Sequence, residues 1–361
     1  LYCTLNRRIK FIMAYTTITK STDYFNTKLY TGNASTNAIT GVGFQPDMTW
    51  LKQRNGTPDH YLYDAIRGVL NYITPNLTTQ QQANVTSLTA FNSDGFTLGS
   101  NAATNVNSGN FASWNWKAGT TGSGTTTGAG TGKAYSYSVN TTSGFSIVKY
   151  LGNGTANHTI PHHLGVKPKM IITKNLDSQI TWIVGHENIG WDHILFLDST
   201  AAKADDVNAF NDIAPTSTVW NVGTGNGNNS NNVNYVSYCF TDVQGYSKFS
   251  SYIGNGNADG TFVYTGFKPA MVILKRTSGA IGDWLIFDDK RNSFNEVDKR
   301  LYPNGDYVEE SSASSGIDMI SNGFKLRGTS ANEWNKVNSY IYLAFAAEPL
   351  VSTNGIPATA R

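Results

Sequence analysis

Residues 266–275 read GFKPAMVILK, a Gly-x-x-Pro turn followed by a run of apolar residues that ends in a lysine. The same layout occurs in residues 43–52, GFQPDMTWLK, and in residues 165–174, GVKPKMIITK. In each case the lysine stands six residues after the proline. Proline fixes φ and donates no ladder hydrogen bond, so it suits a turn that enters a strand. The spacing predicts an internal repeat, with central strands that are apolar on both faces in the second and third copies.

Two further features recur at similar distances from this motif. A Tyr-x-Gly-Asn turn precedes it, and an alternating aromatic strand closes each copy. The turns lie at residues 30–33, 150–153 and 252–255, and the closing strands at residues 111–116, 235–240 and 340–345. These matches predict repeats over residues 22–118, 135–244 and 245–349.

Short alternating runs separated by Gly, Asn and Pro are typical of half-buried antiparallel strands joined by tight turns. The predicted fold class is all-β. Each copy, at about 100 residues with roughly six or seven strands, is expected to be an antiparallel β-sandwich of lectin-like or jelly-roll-like character. The chain would then hold three such sandwiches in tandem.

Three regions flank or separate these repeats. Residues 1–21 are predicted to be an N-terminal extension or tether, and residues 350–361 a C-terminal tail. Residues 119–134 consist mostly of Gly, Thr and Ser, a composition that buries little apolar area. They are predicted to be a flexible linker, and the alternative is an extended arm ordered against a neighbouring subunit.

Composition excludes several classes of protein. The 361 residues carry a formal net charge of +2 and are only 14% charged, which excludes a polybasic nucleic-acid binder. The two cysteines, Cys3 and Cys239, exclude a disulfide scaffold and a cysteine-ligated zinc site. The longest apolar run is too short for membrane insertion. No motif implies a cofactor.

The residues that carry the repeat also resemble a known family. The pattern FNTKLYTGN at residues 25–33, followed by GVGFQP at residues 41–46, is similar to repeat proteins encoded among the virion genes of marine tailed phages that infect cyanobacteria and Pelagibacter-like hosts. Further matching motifs are WKAG at residues 116–119, GFSIV at residues 144–148, YTGFKP at residues 264–269 and SNGFKL at residues 321–326. The resemblance extends over residues 13–361.

This resemblance implies a structural protein on the extracellular surface of a virion, such as a tail fibre or other host-attachment appendage with lectin-like β domains. The implied partners are other virion proteins and a host cell-surface glycan or protein. A homotrimer is expected because phage fibres are commonly trimeric. The family supplies no catalytic residues.

Asp64 with Arg67, and Asp288 with Arg291, are the main charged candidates. Each pair places opposite charges three residues apart at a strand end, which predicts a local ion pair that clamps a loop. The alternative is a carboxylate that binds a glycan. A retaining glycosidase would need two carboxyl groups about 5 Å apart, and one acid per repeat does not supply them. The middle repeat departs from the pattern, with residues 186–188 reading HEN.

Exposed aromatic side chains are the most plausible recognition chemistry, because sugar C–H faces stack on aromatic rings. Trp182, Trp191 and Trp334 lie in polar surroundings in the sequence and are predicted to be exposed ligand contacts. Most of the other tryptophans are expected in the sandwich cores.

Two other sets of residues have both a structural and a functional interpretation. Lys52, Lys174 and Lys275 are predicted to extend their ammonium groups out of the sheet end, and the alternative is one anion or sugar contact per repeat. His158, His162 and His163 suggest zinc or nickel, but the other repeats lack them. His163 is therefore expected to pack in the turn before the proline, and no metal site is predicted.

Three functions are compatible with these observations. The first is a phage appendage that binds the host surface, and the second is a purely architectural virion protein, such as a capsid decoration or tail-assembly subunit. The third is a glycan depolymerase, which the absence of a paired-carboxylate motif disfavours. The expected protein is therefore a binding protein and not an enzyme.

Overall fold

A computed structural model describes residues 15–312, 315–329 and 333–351. The chain is all-β, with 45% strand and 4% helix in several antiparallel sheets, which confirms the predicted fold class. The predictions for residues 1–14 of the N-terminal extension and 352–361 of the C-terminal tail lie outside the described residues.

The first segment, residues 22–118, contains a four-stranded sheet of order β1-β9-β3-β4, a three-stranded sheet of order β2-β8-β7, and the pair β5-β6. The short helix α1 (Ala102–Asn105) precedes β9, and the Asn101 side chain caps it. The strands are β1 (Phe25–Thr31), β2 (Asn37–Thr40), β3 (Met48–Gln53), β4 (Tyr61–Asp64), β5 (Asn71–Tyr72), β6 (Gln82–Ala83), β7 (Leu88–Asn92), β8 (Gly95–Leu98) and β9 (Asn110–Trp116).

The second segment, residues 135–244, belongs to an eight-stranded sheet of order β10-β12-β13-β20-β15-β16-β17-β18 and a three-stranded sheet of order β11-β14-β19. Helix α2 (Val207–Phe210) follows β18. The strands are β10 (Thr120–Thr125), β11 (Thr127–Gly128), β12 (Ala134–Asn140), β13 (Phe145–Leu151), β14 (His158–Pro161), β15 (Met170–Asn175), β16 (Ile183–His186), β17 (Gly190–Phe196), β18 (Ala204–Asp205), β19 (Val219–Val222) and β20 (Asn234–Phe240).

The third segment, residues 245–349, forms a four-stranded sheet of order β21-β27-β23-β24 and a three-stranded sheet of order β22-β26-β25. The strands are β21 (Ser247–Ile253), β22 (Phe262–Tyr264), β23 (Phe267–Arg276), β24 (Trp284–Asp288), β25 (Ile317–Ile320), β26 (Gly323–Leu326) and β27 (Ser339–Pro349).

The Gly/Thr/Ser-rich residues 119–134 do not form a flexible linker, because they contribute β10 and β11. β10 pairs with β12 from Thr120 opposite Val139 to Thr125 opposite Ala134. Gly122 and Gly124 face Tyr137 and Tyr135, and a Cβ on these glycines would come within 2.6 and 2.8 Å of the tyrosine hydroxyl oxygens. The apolar contact that orders the segment therefore comes from tyrosines of the next strand of the same chain.

The predicted central strands are confirmed, since β3, β15 and β23 lie inside their sheets and are buried at every position. Their side chains alternate between two cores, as strand geometry requires. In β15, Ile171 faces a core between the two sheets of its own segment, whereas Met170 and Ile172 face a core shared by all three segments. β23 alternates likewise, with Val272 in the local core and Met271 in the shared core.

A small cavity of about 20 Å³ lies within this shared core. Its lining is apolar and comes from all three segments, including Trp50, Met170, Tyr238, Ile273 and Leu343. A cavity of this size and polarity stays dry and admits no sugar or cofactor. The centre of the molecule is therefore a structural core.

Candidate functional site

Asp64 and Arg67 form a buried ion pair at the end of β4. Arg67 Nε donates to Asp64 Oδ2 at 2.5 Å, and the Arg67 backbone N–H donates to Oδ1 at 2.8 Å. Neither side chain is exposed to solvent. The Tyr238 hydroxyl of β20 donates to Asp64 Oδ2 at 2.6 Å. The predicted ion pair is confirmed, and burial of both side chains disfavours the alternative of a glycan-binding carboxylate.

Asp288 and Arg291 repeat this arrangement at the end of β24. Arg291 Nε donates to Asp288 Oδ2 at 2.5 Å, and both side chains are fully buried. Trp114 of β9 donates from Nε1 to the same oxygen at 3.1 Å, and the Arg291 guanidinium lies 5.7 Å from the centre of the Trp114 ring. This pair is likewise a structural contact and not a ligand contact.

The middle segment replaces both charges at the equivalent position. His186 ends β16 where the outer segments have aspartate, and the buried Ile189 stands three residues later in place of arginine. Burial lowers the pKa of His186 to about 3, so the imidazole is neutral at physiological pH. The backbone of Tyr342 in β27 is close enough to His186 to oppose that shift.

These three positions connect the segments in a closed cycle. Tyr238 joins the second segment to Asp64 of the first, and Trp114 joins the first segment to Asp288 of the third. The third segment meets the second at the equivalent place, where β21 contacts residues 187–189 directly after His186. The same elements are involved each time. The last strand of one segment (β20, β9 or β27) lies near the end of the fourth strand of another (β4, β24 or β16, respectively). The Asp-x-x-Arg motif therefore belongs to the interfaces between segments.

The three motif lysines, Lys52, Lys174 and Lys275, connect the same pairs of segments. Their side chains are buried, so the predicted extension of the ammonium groups into solvent is wrong. Each ammonium donates to backbone carbonyls, one of which belongs to a different segment. These inter-segment acceptors are Asp306 O for Lys52 at 3.1 Å, Thr78 O for Lys174 at 2.8 Å and Ser199 O for Lys275 at 3.3 Å. Burial lowers the lysine pKa values to about 8, 8 and 7, respectively.

The tryptophans predicted to be exposed are buried, so this prediction is wrong. Trp182, Trp191 and Trp334 are 0%, 6% and 3% exposed. Trp182 donates to Thr74 O at 3.1 Å across a segment interface, and Trp334 donates to Arg327 O at 2.9 Å. Carbonyl groups distant in the sequence or in a preceding loop accept the indole N–H groups of Trp182 and Trp334, whereas the buried Trp191 N–H has no hydrogen-bond partner among the described residues.

The three clustered histidines have separate partners. His158 Nδ1 and Nε2 contact Ala129 O at 2.9 Å and Thr126 Oγ1 at 2.6 Å, which holds the residues on either side of β11. His162 Nε2 contacts Thr216 O at 3.2 Å. The His163 ring stacks on Tyr137 at 3.7 Å, so it packs beside the turn as expected. The rings do not converge on one metal position.

Asp192, His193 and Asp205 form a group on β17 and β18 that the sequence reasoning did not single out. One possible ligand atom from each residue lies within 4.8 Å of the other two, a spacing that fits a divalent cation. His193 Nδ1 lies 2.9 Å from Asp192 Oδ1. This close contact between adjacent side chains accounts for the arrangement without a metal.

Two open grooves lie beside strands that pair with a single neighbour within the described residues. The β1 groove, of about 540 Å³, runs between β1 and residues 41–43. The β21 groove, of about 450 Å³, runs between β21 and residues 264–266. Because residues 41–43 and 264–266 both end at the glycine of the Gly-x-x-Pro motif, the grooves occupy equivalent positions in the outer segments.

The β21 groove combines aromatic and polar side chains. Tyr264 is 55% exposed, and Tyr15 reaches across from the start of the described chain, where its hydroxyl donates to Gly266 O at 2.7 Å. Asp242 Oδ2 accepts from Lys248 Nζ at 2.7 Å, and Gln244 also lines the groove. Stacking surface and hydrogen-bonding groups therefore lie together in one accessible place.

A family model described as "Domain of unknown function (DUF7483)" matches residues 20–349. The chain belongs to the DUF7483 family. The match runs through all three segments, so the family domain spans the three segments together. No curated protein and no solved structure matches the chain.

One signal in this DUF7483 chain points to the β21 groove. Phe262 and Tyr264 lie on one face of β22, where both are exposed. The equivalent exposed positions of β2 hold Ala38 and Thr40. An aromatic pair in only one outer segment indicates a surface feature, because residues that maintain the fold would recur. No helix in the described part of the DUF7483 chain is long and apolar enough to cross a membrane.

Proposed function

We propose that this protein is a structural protein of a phage virion that binds the host surface through three tandem antiparallel β-sandwich repeats. The resemblance to virion repeat proteins of marine tailed phages is the reason to place the protein in a phage virion and to expect a bacterial host. The side chains that line the β21 groove are the reason to favour binding. On this proposal the protein lies on the extracellular surface of the virion, beside other virion proteins.

The strand orders support three repeats. The sheets β1-β9-β3-β4 and β21-β27-β23-β24 have the same order when strands are counted within each segment, apart from the two short strands β5 and β6. The series β13-β20-β15-β16 within the eight-stranded sheet follows the same order. Each segment adds a smaller sheet, and a local apolar core separates its two sheets. This arrangement supports a β-sandwich for each repeat.

The single observation that carries host binding is the β21 groove. Its exposed Tyr264 offers an apolar ring face with a polar hydroxyl, which suits the mixed C–H and hydroxyl surface of a sugar. Asp242 and Gln244 provide acceptors and a donor for sugar hydroxyls. Binding without turnover follows because Asp64 and Asp288, the candidate acids, are each neutralised by a buried arginine.

A glycan array and a host-cell pull-down with the intact chain test this proposal. Tyr264→Ala should weaken binding about tenfold, since a lost stacking contact of roughly 1.4 kcal/mol corresponds to that factor. Tyr307→Ala is the matched control, because Tyr307 is 53% exposed and does not line the β21 groove. Equal losses in both variants, no retention of any glycan or cell, or release of oligosaccharides would contradict the proposal.

A further inference from the structure

The outer edge of β1 is equivalent to an edge that the chain covers in its second segment. β13 pairs on one side with β20, as β1 pairs with β9. On its other side β13 pairs with β12 over six residue pairs, from Tyr135 opposite Tyr150 to Asn140 opposite Phe145. In the described residues no strand pairs with the corresponding side of β1. In the second segment, β12 therefore occupies the edge that is equivalent to the open edge of β1.

β12 also contacts the second wall of the equivalent groove. His163 has a φ of 61° two residues before Gly165, and Gly41 has a φ of 76° two residues before Gly43. The ring of Tyr137 stacks on His163 with an interplanar angle of 15°. β12 therefore fills the space between the first strand and the turn. In the first segment these same two walls enclose the open β1 groove.

The β1 groove is positively charged. Lys20, Lys28 and Lys290 line it, and no aspartate or glutamate is among its lining residues. Asp23 pairs with Lys20 at 2.8 Å and Asp289 lies 3.8 Å from Lys290. Lys28 forms no ion pair within the described chain, and its charge acts on Asp94, whose carboxylate already accepts the backbone N–H groups of Gly41 and Gly43. An occupant with carboxylates would be attracted by this surface.

The β21 edge is a less suitable acceptor. Tyr15 of the same chain already contacts Gly266 at the wall of its groove. Lys248 on β21 is neutralised by Asp242, which itself accepts the backbone N–H of Phe249 at 2.7 Å. Among the described residues, an unpaired strand edge, an open groove and a lysine without an ion-pair partner coincide at β1.

We propose that the β1 groove accepts an extended acidic segment of a partner protein, which adds as a strand to β1 in the way that β12 adds to β13. Main-chain hydrogen bonds would provide the ladder, and the three lysines would select carboxylates on the added strand. This site is separate from the β21 groove, so it stands whether or not the protein binds a glycan. It assigns the first segment to assembly with another protein.

Hydrogen exchange on the intact chain tests strand addition directly. The probes are the heptapeptide of residues 134–140, AYSYSVN, and two versions with both serines changed, AYDYDVN and AYKYKVN. The acidic peptide should slow exchange of backbone amides in residues 25–31 and bind at least about tenfold more tightly than the neutral peptide at low salt. No slowing in residues 25–31, or equal slowing by the lysine peptide, would overturn the proposal.

Charge-reversed variants separate a specific site from general attraction. Lys28→Glu should abolish the preference for the acidic peptide and favour the lysine peptide. Lys248→Glu reverses a charge on the equivalent edge of β21 and should leave the preference unchanged. Thermal unfolding midpoints of both variants separate a change in binding from a change in stability, and Lys248→Glu should lower the midpoint because it places a second carboxylate beside Asp242. Equal effects of the two substitutions would contradict strand addition at β1.

Discussion

In the Asp-x-x-Arg motif, each buried carboxylate is paired with a buried guanidinium. Asp64 and Arg67 are fully buried, and so are Asp288 and Arg291. The middle segment has lost both charges together, leaving the buried Ile189 beside a histidine that burial keeps neutral by lowering its pKa. Paired loss is the expected outcome, because a single unpaired buried charge is far more destabilising than replacement of the whole pair by neutral groups.

Substitutions at the first pair should therefore be strongly non-additive. Asp64→Ala is expected to lower the free energy of unfolding by about 3–5 kcal/mol, since Arg67 would remain buried without a carboxylate. The double variant Asp64→His with Arg67→Ile copies the middle segment and should lose less. Urea unfolding followed by tryptophan fluorescence measures both values. Asp23→Ala, which removes an exposed partner of Lys20, should change stability by less than about 1 kcal/mol.

The buried lysines predict how stability depends on pH. Burial lowers the pKa of Lys275 from 10.5 to about 7. Between these values the unfolded chain holds the proton and the folded chain does not. The free energy of unfolding should therefore rise with pH, by up to about 1.4 kcal/mol per pH unit for this group. Lys52 and Lys174, whose pKa values are lowered to about 8, act in the same direction.

Urea unfolding at pH 7.0, 7.75 and 8.5 checks this dependence well below the ordinary tyrosine pKa of about 10. Lys275→Met should show a shallower rise than the parent, whatever its absolute stability. Lys20→Met, at an exposed side chain, should keep the parental slope. A parental stability that falls over this range, or identical slopes in the parent and Lys275→Met, would contradict burial of the ammonium.

At the scale of elements, the sequence predicts those strands whose own residues show the pattern of burial. The Gly-x-x-Pro motif and the apolar run identified β15 and β23, because a strand buried on both faces needs apolar residues at successive positions. The all-β fold follows from the same alternation and from the turn residues. The ion pairs were also predictable, since Asp64 and Arg67 are close in the sequence.

Features that depend on another element were predicted incorrectly or missed. β10 has no apolar residues of its own, and Tyr135 and Tyr137 of β12 cover its glycines. Trp182 lies in a polar stretch but donates to Thr74 O of a different segment. Both open grooves arise from strand order. Local composition contains none of this information, because burial here is determined by partners distant in the chain.

At the scale of the molecule, the three segments share one apolar core within a single chain. That core contains Trp116 of the first segment, Phe240 of the second and Phe345 of the third. The homotrimer implied by the phage resemblance remains a separate prediction, which concerns contacts between whole chains of 39.3 kDa. Sedimentation of purified protein distinguishes a trimer of that mass from a single chain.

The shared core predicts that the segments unfold together. Removing any one segment would expose the inward faces of the other two, including Met170 and Phe240 of the second and Met271 of the third. Each such side chain contributes roughly 1.5–3 kcal/mol through burial, and the buried lysines would also lose their carbonyl acceptors. The repeats should therefore lack independent stability even though each has a local core.

Differential scanning calorimetry on the intact chain should show one transition, with equal van't Hoff and calorimetric enthalpies. Residues 119–244 expressed alone, which include β10 and β11, should show no cooperative transition and should bind a dye specific for exposed apolar surface. The destabilised Asp64→Ala variant is the informative comparison, because its substitution lies in the first segment alone. If the segments are coupled, the single transition moves to lower temperature as a whole. A transition that splits, with two thirds of the enthalpy remaining at the parental temperature, would mean that the shared core contributes little cooperativity.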